Sequence, residues 1–214
     1  MSKVSYEEFL PEVLPYVRDC PEQMAINAIR AACIEFCKDS LILREVLDPI
    51  TIVANQSEYD LEKRAYYNVA KIIRVYHGSR ELPGRSTEQL DKMLGGKWRT
   101  ESGEPIFHVQ ESENTFRVVL TPDQTSNDTL VVTVALVPLR NSTSVDSYIF
   151  ERWAEVIAMG ARARLHDTPK QPFSDKEAAM RFRKWFESGR GDAKIEVNRG
   201  FTRGPLRVRY NPLV

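Results

Sequence analysis

Apolar residues recur at helical spacing toward both ends of the chain and at strand spacing between them. Ala25, Ile29, Ala32, Cys33, Phe36 and Cys37 form a stripe at three-to-four spacing that continues toward Leu43, and Pro21 suits its first turn. The small residues in that stripe permit close helix packing. Upstream, Ser5-Tyr6-Glu7-Glu8 reads as a capping box, with Val4 and Phe9 as a hydrophobic staple, and predicts a short helix running to about Pro15. Helical spacing returns near Val145, through Ile149, Trp153, Val156, Ile157, Gly160, Ala161 and Leu165. After a linker holding Pro169 and Pro172, Ser174-Asp175-Lys176-Glu177 predicts a second capping box. The helix it opens runs through Ala178, Phe182, Trp185 and Phe186, and Gly189 is expected to stop it.

From Pro49 the period changes to two. Strands are predicted at Ile50–Val53, Tyr59–Leu61, Val69–His77 (with Ile73 and Val75 on one face), Ile106–Val109, Thr115–Leu120 and Thr129–Val137. Gly78-Ser79-Arg80 reads as a hairpin turn, and Ser86-Thr87-Glu88-Gln89 as a capping box for a short helix ending at Gly95-Gly96. The expected fold is therefore α+β: helices from both chain ends packed together, with an inserted antiparallel β meander or small sandwich. The expected divisions are a helical part at 1–48, a β-rich lobe at 49–144, a second helical part at 145–190 and an extended basic arm at 191–214.

That arm carries the strongest functional signal. Leu206, Val208 and Tyr210 alternate with Arg207 and Arg209, and the turns at Asn198-Arg199-Gly200 and Arg203-Gly204-Pro205 would hold the segment off its own body. An alternating segment needs a neighbouring edge for its backbone groups, so pairing in trans is expected, with Arg199, Phe201, Arg203, Leu206, Arg207, Val208, Arg209 and Tyr210 as the partner-binding residues. From Arg199 onward there are four arginines and no acid, in a chain of net charge zero. The first fifty residues lean the other way, with nine acids against five bases. Such polarity suits head-to-tail assembly, or a face turned toward nucleic acid.

Catalytic signatures are scarce. At 214 residues and 42% hydrophobic content the chain can bury a real core, yet it holds no phosphate-cradling P-loop, no dinucleotide fingerprint and no nucleophile elbow. His77, His108 and His166 fall in different elements, without the spacing that puts two imidazoles on one metal, and read as surface or strand-end residues. His166-Asp167 resembles half of a metal phosphohydrolase signature, but a histidine near a helix C-terminus explains it more simply. Cys33 and Cys37 read as buried thiols, Arg190-Gly191-Asp192 as a turn, and the sequons at Asn55, Asn127 and Asn141 as polar turns. No cofactor or metal is expected. No run approaches the roughly twenty apolar residues of a membrane span, and the start lacks an apolar leader, so a soluble protein is expected. One rival reading is a nucleic-acid-binding module in which Arg181, Arg183 and Lys184 contact phosphates and Trp185 stacks on bases. At helical spacing with Phe182, Trp185 is instead expected in the core.

Several segments, in order, resemble the head-to-tail adaptor (connector) proteins of tailed bacteriophages. They are the helix Ala25-Ile26-Asn27-Ala28-Ile29-Arg30-Ala31-Ala32-Cys33-Ile34-Glu35-Phe36-Cys37, then Tyr59-Asp60-Leu61 followed by Val69-Ala70-Lys71-Ile72-Ile73-Arg74-Val75. Trp98, Gly103-Glu104-Pro105-Ile106-Phe107, Leu120-Thr121-Pro122 and Gly160-Ala161-Arg162-Ala163-Arg164-Leu165 continue the likeness over nearly the whole chain. The resemblance implies a structural virion protein with no active site, forming a ring, commonly of twelve subunits, below the portal. Its partners would be the portal protein, the tail tube or nozzle protein and further copies of itself, with DNA only passing through the lumen and no membrane. It implies residence at the head-tail junction of the virion, and in the host cytoplasm before assembly. The basic arm is similar to the extensions with which such adaptors dock.

Overall fold

The structure, a computed structural model, describes residues 2–62, 64–126 and 128–199. A strand β1 (Lys3–Ser5) leads into a helical segment with 3-10 turns on either side of α1 (Leu10–Val13), and then into α2 (Glu22–Ser40). The strand was not legible in the sequence: three residues carry no periodicity, and β1 exists because β10 (Ser144–Asp146) lies antiparallel beside it. Ser5 does cap the first turn, its hydroxyl accepting from the Glu7 N–H at 3.3 Å. Helix α2 ends one turn earlier than its stripe suggested. Leu41 takes a left-handed conformation at φ 54°, which closes the helix and turns the chain into β2 (Arg44–Val46).

The strands form two further antiparallel sheets. In one, β9 (Thr129–Pro138) is central, with β2 and β3 (Ile50–Thr51) along one edge and β5 (Tyr67–His77) along the other; β6 (Arg80–Glu81) folds back on β5 through the Gly78 turn. In the second, β4 (Glu58–Asp60), β8 (Thr115–Val119) and β7 (Phe107–Val109) lie in that order. The 83–85 segment joins the two sheets. His108 donates its N–H to the Pro83 carbonyl at 3.2 Å and accepts from the Arg85 N–H at 2.9 Å. The strand order thus runs around a shared core from β2 and β3 at one end to β4 at the other. That core holds Leu130, Val132, Val134 and Leu136 of β9 against Tyr59, Phe116 and Val118 of the second sheet.

Strand β5 departs from simple alternation. Its register against β9 slips between Val69 and Lys71 and again between Ile72 and Arg74. The buried positions are therefore Tyr67, Val69, Ile72 and Val75, and Ile73, expected beside Val75, is only half-buried. Each bulge inserts one residue and moves everything beyond it to the other face.

Short helix α3 (Thr87–Leu94) follows β6. Its capping box is complete: the Ser86 hydroxyl accepts from the Gln89 N–H at 3.2 Å, and the Gln89 side chain accepts from the Ser86 N–H at 3.1 Å. Helix α4 (Ser147–His166) starts directly after β10 and runs antiparallel to α2, with Phe36 of α2 on Trp153 of α4 at 5.4 Å between ring centroids. Helix α5 (Lys176–Arg199) returns along α4.

Candidate functional site

Helix α5, the last described element of the chain, is held by polar contacts from both α2 and α4. Asp175, one residue later than the predicted capping box, starts this helix. Its carboxylate accepts from the backbone N–H groups of Glu177 at 2.9 Å and Ala178 at 3.0 Å, and these bonds hold its carboxyl below the usual range. The Ser174 hydroxyl is committed elsewhere, to the Thr168 carbonyl and the Gln171 N–H.

Gly189 does not stop the helix. A Cβ there would lie 2.7 Å from the methyl groups of Val156, so its lack of a side chain serves the approach of α5 to α4. Gly160 plays the matching part on α4: a Cβ would meet the Phe186 ring at 2.8 Å and Ala32 of α2 at 3.0 Å. With both close approaches in place α5 continues to Arg199, so 191–199, expected from the sequence to belong to the extended arm, are helical. Arg190, Gly191 and Asp192, expected in a turn, lie inside α5 as well. Near its end, Glu196 accepts from the Tyr148 hydroxyl at 3.2 Å and from Arg152 at 2.7 Å, which ties α5 to the beginning of α4.

A second set of bonds centres on Glu35 of α2. Its carboxylate accepts from Arg164 of α4, from Arg183 at 2.7 Å and from Arg190 at 3.0 Å, the last two on α5; Arg190 also reaches Asp39 at 2.5 Å. One carboxylate therefore gathers three guanidinium groups from two other helices. Partial burial pushes the Glu35 carboxyl up, but the bonds from Arg183 and Arg164 outweigh it and hold the carboxyl below its ordinary value of 4.5. A lowered folded-state value means that the cluster contributes stability above the unfolded carboxyl's value, and that this is lost as pH falls below it. In acid unfolding followed by circular dichroism, Glu35→Gln is expected to flatten the loss of stability below pH 4.5 while the chain still folds at neutral pH; an unchanged acid limb would refute this.

Arg162, on the far side of α4, is buried and locks the N-terminal segment in place. Its guanidinium donates to the Glu12 carbonyl at 2.8 Å and lies 3.6 Å over the Tyr16 ring. Burial lowers its pKa without displacing its charge from that site.

The residues singled out in the sequence fare unevenly. Arg199 is exposed at the end of α5, whereas Phe201, Arg203, Leu206, Arg207, Val208, Arg209 and Tyr210 lie outside the described residues. The triad Arg181, Arg183 and Lys184 is split by the helical period. Arg181 and Lys184 are exposed, while Arg183 points to the other side and is engaged by Glu35 and by Glu187 at 3.1 Å. Trp185 is not core: it is 47% exposed, its ring edge-on to Phe182, because Phe182 and Phe186 take the inward positions of those turns. His108 and His166, expected at the surface or at strand ends, are both buried. Each Nδ1 donates to a backbone carbonyl at 2.7 Å, of Leu82 and Phe173 respectively, and burial pushes the His108 value down toward the neutral form. Cys33 and Cys37 are buried free thiols in the helical core. Glu35, Arg164 and Arg190 were missed by sequence reading. An acid between the apolar positions Ala32 and Phe36 was the only signal, and its partners lie more than a hundred residues away.

Among the described residues no group of three or more His, Cys, Asp or Glu side chains could hold a metal ion, and no helix is long and apolar enough to cross a membrane. The described residues form an α+β fold in which α5 is held against α2 and α4. A family model described as SU10 adaptor protein matches residues 4–209, and the chain belongs to that family of bacteriophage adaptor proteins. No curated protein matches the chain. As a structural adaptor it is a virion component.

Proposed function

We propose that this chain is a head-to-tail adaptor: copies of it form a ring below the portal and join the portal to the tail tube or nozzle, and DNA passes through the lumen. It does so without a catalytic step or a cofactor. Residues 200–214 serve as the docking arm. The observation that supports this reading is the way α5 is seated. Two glycine-mediated contacts, the Glu35 cluster and the Glu196 contacts fix the helix along its length, so the arm leaves from a rigid stalk at Arg199. An arm on a fixed stalk loses less freedom on docking than one on a frayed end, and repetition around a ring multiplies modest contacts.

The nucleic-acid reading loses its central residue, since Arg183 already has two carboxylate partners. A chain ending at Arg199 is expected to keep the thermal unfolding midpoint of the full chain but to form no stoichiometric complex with the portal protein in native mass spectrometry or light scattering. Normal attachment by the truncated chain would overturn the proposal. Steep salt-dependent DNA binding by the full chain alone would return the nucleic-acid module to first place.

A further inference from the structure

Strand β4 closes the strand order of the β-rich lobe, and its outer edge has no strand partner among the described residues. On its inner side the Val118 N–H donates to the Ser57 carbonyl at 2.9 Å and the Leu61 N–H to the Asn114 carbonyl at 2.7 Å. Backbone groups alternate along a strand, so those of Glu58 and Asp60 face the open edge. There the Glu58 carbonyl meets only the Gln56 side-chain amide, at 3.0 Å. Side chains alternate too: Glu58, Asp60 and Glu62 are exposed, Tyr59 and Leu61 buried. Val53, whose N–H contacts the Tyr59 hydroxyl at 3.4 Å, is an uncovered apolar side chain beside the edge, 43% exposed.

The charge around this edge is one-sided. Among the described residues Glu58 and Asp60 of the strand and Glu62 just beyond it are exposed, and the base beside them, Arg117, is paired with Glu58 and Glu111 at 3.7 Å each. The outer edge of β5 has the opposite character: Lys71 and Arg74 are exposed there, and the Ile72 N–H is already accepted by the Gln110 side chain at 2.9 Å. A basic strand is repelled from β5 and attracted to β4.

The C-terminal segment has the complementary pattern. Leu206-Arg207-Val208-Arg209-Tyr210-Asn211 alternates apolar and basic residues and is bounded by Pro205 and Pro212, which end a ladder on either side. Its six residues exceed the three of β4 and can pair along the whole strand. In an antiparallel register Arg207 faces Asp60, Arg209 faces Glu58, Val208 faces Tyr59 and Leu206 faces Leu61, so charge meets opposite charge on the outer face and apolar meets apolar on the inner one.

We infer that the outer edge of β4 is the docking site for residues 206–211 of a second copy of this chain, which add to it as an antiparallel strand. This rests on the adaptor reading and names the arm's partner within it. Each copy then carries both a donor strand and an acceptor edge. That is a heterologous contact, and in a closed ring every edge is covered. The segment begins seven residues beyond Arg199, a reach of roughly 20–25 Å for extended chain.

The test uses full-length chains in which Cys20→Ser removes the partly exposed thiol and the buried Cys33 and Cys37 remain. One preparation carries Asp60→Cys and the other Arg207→Cys, so a disulfide between the two new thiols necessarily joins two copies. The two are mixed under mild oxidation, alone at high concentration and with the portal protein, and read by intact mass. The expected result is a disulfide-linked heterodimer. Glu58→Arg on the Asp60→Cys chain, which reverses the charge facing Arg209, should cut the yield severalfold, and Arg209→Glu on the Arg207→Cys chain should restore it. If the portal complex forms normally and no linked heterodimer appears, the inference falls while the adaptor reading stands. A chain carrying both cysteines that closes only on itself, as a monomer, overturns it equally, since the arm then covers its own edge. If no portal complex forms, the adaptor reading fails and the mixture without portal alone decides whether the two surfaces meet.

Discussion

Gly160→Val is expected to destabilise the protein by about 3 kcal/mol, near the upper end for overpacking a closed core. Three helices meet at this residue. The place where even its first carbon would sit is 2.8 Å from the Phe186 ring and 3.0 Å from the Ala32 side chain, and both neighbours are fully buried. Neither can swing into solvent, so α5 must lift from α4 or α2 must shift. Lifting α5 would also pull Arg183 and Arg190 away from Glu35. Urea unfolding of the single variant measures the cost. Adding Phe186→Leu, which shrinks the obstructing ring, should make the double variant more stable than the sum of the two single effects. Strict additivity would show that the contact is not what limits the packing.

A comparable loss, again about 3 kcal/mol, is expected for Asp146→Ala, for an electrostatic reason. Asp146 lies at the end of β10, immediately before α4, with no exposure to solvent. Its carboxylate accepts from Arg64 at 3.2 Å and from the buried Tyr67 hydroxyl at 3.3 Å, so one side chain joins the start of a helix to β5 and to the loop before it. Burial and the neighbouring carboxylate push the Tyr67 hydroxyl's pKa up, so it stays a protonated donor. Removing the acceptor leaves that hydroxyl and a half-buried guanidinium unmatched, and the larger part of the cost is their lost partner rather than the lost contact itself. Asp146→Asn, which keeps an acceptor of the same shape, should lose clearly less. Tyr67→Phe on top of Asp146→Ala should recover part of the loss, because the orphaned hydroxyl is then gone. Equal unfolding midpoints for the alanine and asparagine variants would contradict this account.

Both positions show where sequence reading stops. The Gly160 stripe was legible as a packing face, but nothing in the order of residues says that Phe186 lies across from it. Gly189 illustrates the same limit more sharply. Read locally it is a helix stop, because glycine is a poor interior helix residue. In the fold it is an interior residue, since Val156 occupies the space a side chain would need. Trp185 and Ile73 were misplaced for a related reason. Period alone assigns several apolar residues to one face, whereas the geometry of a neighbouring helix, or a bulge in a strand, decides which of them fit inside.

The sequence by itself determined the class and order of the elements. Helical spacing at both ends, strand spacing between them and the capping box at Ser86 are local signals, written within a few residues of where they act, and they are enough for an α+β fold and for the likeness to phage adaptors. It also determined the charge polarity and the alternating basic tail, which need no folding to be read. Only the tertiary structure decided that Glu35 gathers Arg164, Arg183 and Arg190, that Arg183 is thereby engaged by carboxylates of its own chain, that α5 reaches Arg199, and that the outer side of β4 has no strand partner among the described residues. Those facts depend on pairs separated by tens to hundreds of residues. Their free energy comes from distance and burial in three dimensions, and no local pattern of side chains encodes either.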